Sequence, residues 1–240
     1  MPSTTDLIVV LIFAVLFPAL SAYSYPKMKL VLARNLPGVR SKAYMEAMTW
    51  LWLLATLAAG NWIYQDRELI DLGLGWNSQQ PFWTSLVLVA IAAAYLLRTA
   101  LRTNQDSKLR SRMLRKIHKV KEILPINKRE FQLFIPVSIT AGICEEFLFR
   151  AYLLWFLQQQ LNPVLAVLIA SLLFGLAHSY QGIKGCFQTM AIGMVLCGLY
   201  LYSGSLWPCI LLHALIDVYA GYVGWKVLAE NASSNEFTEV

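Results

Sequence analysis

The sequence predicts an all-α fold, a polytopic transmembrane helix bundle of about seven spans with a polar cluster held inside the membrane. Three observations carry that expectation. Hydrophobic residues make up 58% of the 240 and charged residues only 14%, against roughly 45–50% and about 25% in soluble domains. The apolar residues gather into runs close to the ~20 residues that cross a bilayer as a helix. Charges fall between these runs, apart from a small set inside the second half of the chain. A soluble domain could not bury so many long apolar runs, and a bilayer removes the need.

Taken in order, the spans are expected at residues 7–24, 44–64, 81–100, 131–156, 163–180, 183–203 and 206–226. The first begins near Leu7 without a basic leader or a small-residue cleavage site, so it reads as a retained helix rather than a signal peptide. The fifth opens on Pro163, a residue suited to the first turn of a helix, but its run is short and ends in polar His178-Ser179-Tyr180. Pro125 and Asn127 separate a first region, residues 1–124, from a second, residues 125–226, where intramembrane polarity concentrates. Residues 227–240 are polar and read as a flexible tail.

Charge orients the spans. Residues 25–43 carry Lys27, Lys29, Arg34, Arg40 and Lys42, and residues 98–130 carry eleven Lys or Arg against three acids. Lys and Arg in short loops are retained in the cytoplasm, which places 18 of the 20 basic residues on that side. The N-terminus is then outside and the C-terminus cytoplasmic, with Arg67 outside and Arg150 within a span. Trp62, Trp76, Trp83, Trp155 and Trp207 gather at the expected outer ends, as an interfacial aromatic belt would.

The formal charge of +6 does not point to nucleic acid, because the basic residues lie between apolar runs rather than on a folded polar face. In residues 106–122, Leu109, Met113, Leu114, Ile117 and Val120 alternate with basic residues at helical spacing. That is the pattern of an amphipathic helix on anionic lipids of the cytoplasmic leaflet; the plainer alternative is a solvated basic connector. Cys144, Cys186, Cys197 and Cys209 lie in apolar runs without CxxC spacing, so no disulfide framework is expected.

An ionisable residue at the bilayer centre costs about 2.5–3.5 kcal/mol on insertion scales, so each one is a functional candidate. The fourth span holds Glu145, Glu146 and Arg150, the fifth His178, and the seventh His213 and Asp217. Glu146 and Arg150 are four apart and share a helix face, so they can neutralise one another. Glu145 points about 100° away and is free to face a cavity. His213 and Asp217 are likewise four apart, and Phe174 lies one turn before His178.

A carboxylate with imidazoles in a low-dielectric cavity suits proton transfer to and from water, and hence hydrolysis within the membrane. Polar donors opposite the water would stabilise a tetrahedral oxyanion. A structural interhelical hydrogen bond would account for a single such histidine, but less readily for the whole set. Histidines and carboxylates also make a zinc-type donor set, with His178, His213, Asp217 and Glu145 as the candidates. Their spacing is not that of a helix-borne HExxH pair, so the expectation is no cofactor, with zinc as the alternative.

The motifs Glu145-Glu146-Phe-Leu-Phe-Arg150, Phe174-Gly-Leu-Ala-His178 and His213-Ala-Leu-Ile-Asp217, in this order and each in a span, resemble those of the CPBP intramembrane protease family. That family includes type II CAAX prenyl endopeptidases and bacterial abortive-infection-like proteins. The resemblance covers about residues 125–225. It implies an endopeptidase acting on a membrane-anchored or lipid-modified protein or peptide, with Glu145 as the base that activates water and His178 assisting. It further implies that His213 and Asp217 occupy the oxyanion-stabilising positions, and that Glu146, Arg150 and Phe174 support the site.

The sequence departs from the family pattern at Asp217, where many members have Asn; an ionised Asp cannot donate a hydrogen bond. Two other function classes would also use these residues: a non-catalytic membrane adaptor, and a proton- or metal-coupled transporter. The expected partners are the bilayer, its anionic lipids and a membrane-anchored substrate. One expectation conflicts with the rest, since the span ends put His178 near the cytoplasmic end of its helix and His213 nearer the outer end. A joint site then requires a longer fifth helix or a tilt.

Overall fold

The structure, a computed structural model, describes residues 1–75 and 79–236, with backbone alone from residue 230 onward. It consists of eight helices, with no strand among the described residues. They are α1 (Thr4–Ala33), α2 (Val39–Tyr64), α3 (Gln80–Gln105), α4 (Ser107–Ile117), α5 (Lys128–Gln158), α6 (Pro163–Ala177), α7 (Gly182–Ser203) and α8 (Trp207–Glu236). Short 3-10 turns at Leu69–Leu72 and Ser179–Gln181 join α2 to α3 and α6 to α7.

Among the described residues, five segments are long and apolar enough to cross a membrane: α1, α3, α5, Ser179–Ser203 and Trp207–Ala229. The protein is an integral, multi-pass membrane protein. The other two expected spans each fall short in one respect. α2 has 26 residues, but Thr49, Thr56 and Asn61 dilute it. α6 is apolar but has 15 residues, which at 1.5 Å per residue reach only about 22 Å of a ~30 Å hydrocarbon core.

Local chemistry starts the helices. α1 opens on a capping box in which the Ser3 hydroxyl accepts from the Asp6 amide and the Asp6 carboxylate accepts from the Ser3 amide. Asn127 and Asn162 cap α5 and α6 by accepting from Glu130 N at 2.9 Å and Leu165 N at 3.0 Å. π-helical turns interrupt α1 at Ile12–Leu16 and α5 at Phe147–Leu153, the second directly after Glu146. Such turns recur at functional sites because they re-aim the side chains around them.

The regions on either side of Pro125 share one core, in which Val9, Phe13, Ala58 and Trp62 pack with Leu148, Phe149, Phe174 and Ile210. Two glycines permit close helix approach. A Cβ on Gly142 would stand 2.9 Å from the Ile210 carbonyl oxygen, and one on Gly175 would stand 2.7 Å from that of Cys186. Small residues thus let α5 meet α8, and α6 meet α7, at backbone distance.

Each end of the bundle is tied across the sequence. At one end Leu206 N donates to the Gly73 carbonyl at 2.9 Å and Trp207 Nε1 to that of Leu74 at 3.1 Å. At the other, Arg40 Nε donates to the Glu122 carbonyl at 2.9 Å and the Tyr44 hydroxyl to that of Ile123 at 2.8 Å. The segments expected on opposite sides therefore lie at opposite ends. α1 runs on to Ala33 and α2 begins at Val39, so Lys27, Lys29 and Arg40 are helical rather than in a loop. In the basic stretch only Ser107–Ile117 is helical, with Leu109, Met113, Leu114 and Ile117 half-buried on one face. α8 continues to Glu236, through most of the segment expected as a tail.

A buried polar clamp closes the first of these ends. Asp6, fully buried, accepts from Arg67 Nη1 and Nη2 at 3.0 and 2.9 Å, from the Tyr152 hydroxyl at 2.7 Å and from Asn61 Nδ2 at 2.8 Å. The Arg67 guanidinium also lies 4.9 Å from the Trp62 ring and 4.4 Å from the Trp155 ring. This corrects the aromatic-belt reading, because Trp62 is 2% exposed and belongs to the clamp. Trp83 and Trp207 are exposed, and Trp76 lies outside the described residues.

Asp6→Ala is expected to destabilise the protein by about 2–3 kcal/mol, the lower part of the range for breaking a buried ion pair, since Arg67 keeps some contact with solvent. Thermal unfolding in nanodiscs measures it, and an unchanged midpoint would remove the clamp's role.

Candidate active site

The sequence places two consecutive glutamates at the last α-helical positions of α5 before its π turn, and the structure gives them different surroundings. Glu146 is fully buried. Its Oε1 lies 3.1 Å from Arg150 Nη1 and 2.5 Å from His213 Nδ1. The Arg150 guanidinium carbon stands 3.9 Å from the centre of the Phe174 ring. A buried cation is thus balanced by a carboxylate and covered by an aromatic face. Glu146 has a second partner that the i, i+4 reading did not provide, because it also holds His213.

Glu145 faces a different group of side chains. Its Oε2 is 3.7 Å from His178 Nε2 and 4.0 Å from His213 Nε2, and His213 Nε2 is 3.7 Å from Asp217 Oδ2. Side-chain exposure rises from 8% at His213 through 16% at Glu145 to 35% at Asp217, so the cluster is closed at the imidazole and opens past the aspartate. The four residues expected to carry chemistry are brought together from α5, the end of α6 and α8.

The partners of the imidazoles fix their orientation. His178 Nδ1 lies 2.8 Å from the Phe174 carbonyl oxygen. A carbonyl and a carboxylate can only accept, so Nδ1 donates in both histidines and Nε2 is the atom turned toward Glu145. That Nε2 is a lone-pair acceptor when the ring is neutral and a donor when it carries both protons. Phe174 backs the pair, its ring centre 4.7 Å from that of His178 and 6.0 Å from that of His213.

The conflict over depth is resolved by the shortness of α6. Because the helix ends at Ala177, His178 lies inside the bundle, beside mid-α5, where it meets His213 from the early part of α8. Neither a longer helix nor a large tilt is required.

Sequence reasoning missed Tyr180 and Tyr25. The Tyr180 ring centre is 5.7 Å from that of His178 and 5.3 Å from that of Tyr25. Tyr180 could be read only as the polar end of a span, and no spacing rule connects it to Tyr25.

The arrangement does not fit a zinc ion. Among the described residues, no group of three or more His, Cys, Asp or Glu is placed to hold a metal. The donor atoms around Glu145 are 3.7 and 4.0 Å from it, wider than the ~3.3 Å between neighbouring ligands of tetrahedral zinc at ~2.0–2.1 Å.

Fold and cluster together define a polytopic membrane protein of the intramembrane-protease class, with its titratable side chains gathered between helices. Residues 127–219 match the Rce1-like family, described as type II CAAX prenyl endopeptidase Rce1-like. The chain belongs to the CPBP family, and the matched segment contains all seven residues singled out from Glu145 to Asp217. No curated protein and no solved structure matches the chain.

Proposed function

We propose that the protein hydrolyses a peptide bond of a membrane-anchored or lipid-modified protein or peptide, using a water activated by Glu145. The observation that carries this reading is the convergence of Glu145 Oε2 with Nε2 of His178 and of His213, within 4.0 Å, inside an apolar bundle. These separations exceed a direct hydrogen bond and suit a water held between Glu145 and His178.

Glu145 takes a proton from that water as it attacks the carbonyl carbon, then passes the proton to the departing amine. His178, fixed through Nδ1, accepts the second hydrogen of the water and aligns its attacking lone pair. His213 serves in its doubly protonated form, with Glu146 on Nδ1 and Nε2–H directed at the oxyanion. Asp217, unable to donate when ionised, stands beside the same Nε2 and balances the imidazolium charge. That assignment accommodates the departure from the family's Asn.

The basic end of the bundle, with Lys108, Arg112, Arg115 and Lys116 exposed on α4, lies on the anionic cytoplasmic leaflet in this reading. The N-terminus is then outside and the C-terminus cytoplasmic. The test is incubation of the purified protein in nanodiscs with membrane-anchored peptides, followed by mass spectrometry of the products. New peptide termini are expected. Ion flux in vesicles without cleavage would replace the protease reading by a transporter, and partner binding without either would replace it by an adaptor. A strong chelator should leave the cleavage rate unchanged; loss of activity restored by added zinc would overturn the metal-free mechanism.

A further inference from the structure

Beside the catalytic cluster, at the basic end, lies a cleft of about 530 Å³ whose walls include Tyr25, Lys29, Lys119, Ser179, Tyr180 and Gly182. That volume is in the range of pockets that hold small ligands or short peptides. Its walls come from the late turns of α1, the turn after α4 and the 3-10 turn that follows His178. The stacked rings of His178, Tyr180 and Tyr25, spaced 5.7 and 5.3 Å apart, connect it to the cluster.

Three features give the cleft the chemistry of an anion site. Lys119 has no carboxylate partner among the described residues, and the backbone at Gly182 keeps it along the cleft wall. There φ is +76°, and a Cβ would stand 2.7 Å from Lys119 Nζ. Lys29 is 39% exposed and shares its charge with Glu122 across 3.7 Å. The Tyr25 hydroxyl is buried without a hydrogen-bond partner among the described residues, a donor not used within the fold.

We propose that this cleft binds the terminal carboxylate of the peptide being cut. The inference rests on the protease reading above. A peptide's carboxylate end always belongs to the fragment that departs as the amine, so the cleft marks the side of the cluster on which that fragment lies. Tyr180, between His178 and the cleft, flanks the residues that link the scissile bond to the carboxylate. Lys119 and Lys29 supply the charge, and the Tyr25 hydroxyl supplies a neutral donor.

The test compares one membrane-anchored peptide with a free C-terminal carboxylate and its amidated twin, in nanodiscs of neutral lipid. The acid should be cut with roughly tenfold higher kcat/KM, carried by KM, the factor that a charge-assisted hydrogen bond supplies. Lys119→Gln should abolish the preference while leaving kcat for the amide unchanged. Lys29→Gln, the second variant should the first fail to fold, should reduce it. Equal use of acid and amide by the unmodified protein would overturn the subsite and leave the protease intact. If neither peptide is cut, the protease reading fails, and direct binding of the two peptides decides the cleft by the same acid preference and its loss in Lys119→Gln. In nanodiscs containing anionic lipid the preference should persist; its disappearance there would identify the cleft as a lipid headgroup site and overturn the proposal.

Discussion

Replacing Glu145 with glutamine should lower peptide cleavage by roughly 10²–10⁴-fold, the range that a positioned general base contributes, while the protein still folds. The substitution keeps shape and volume but leaves an amide that cannot take a proton from water. Little structure depends on this carboxylate, since its Oε2 is buried without a hydrogen-bond partner among the described residues. Its neighbours His178 and His213 keep their Nδ1 partners, the Phe174 carbonyl and Glu146. Cleavage rate and thermal midpoint measured on one preparation provide the check. A normal midpoint with a normal rate would move the base to another side chain.

Glu146→Ala should act through the fold as well as the site. It leaves the Arg150 guanidinium, 1% exposed, with only the Phe174 ring against it, and removing one partner of a buried pair costs about 3–5 kcal/mol. Adding Arg150→Met removes the stranded charge and keeps an unbranched side chain against Phe174, so most of the stability should return. Activity should remain low, because His213 Nδ1 has still lost its acceptor and the imidazole is no longer held toward Glu145. Unfolding and cleavage measured on the single and double variants separate the two roles. Recovery of both would mean that Glu146 serves Arg150 alone.

Most of the bundle was legible because the bilayer imposes one length on every crossing helix, and the runs for α1, α3, α5, α7 and α8 meet it. The cluster was legible because charge in such runs is rare enough to be informative. What escaped depended on distances between helices. Spacing along α5 pairs Glu146 with Arg150 but cannot show His213 arriving from α8. Trp62 and Trp155 stand at a helix end, as belt residues would, yet they cover the guanidinium of Arg67. An amphipathic ring reads the same in either setting. Asp6 passed as the polar start of an apolar run because its partners Asn61, Arg67 and Tyr152 lie far along the chain. The depth of His178 was misjudged because a full crossing was assumed for α6, which stops short.

The Asp6 clamp also dictates an order of construction. Tyr152 is 146 residues beyond Asp6, so a chain emerging from the ribosome inserts its first three long helices before the hydroxyl that completes the latch exists. Until then Asp6 can find only Asn61 and Arg67, and α1 is held at one corner. Once α5 is in place, Phe13 can meet Phe149 and Tyr152, 5.8 and 6.1 Å away between ring centres, and the N-terminal helix becomes a wall of the bundle. Insertion of the glutamate-bearing helix is therefore also the step that locks the first helix, so the chain acquires its closed outer end and the first side chains of its site together.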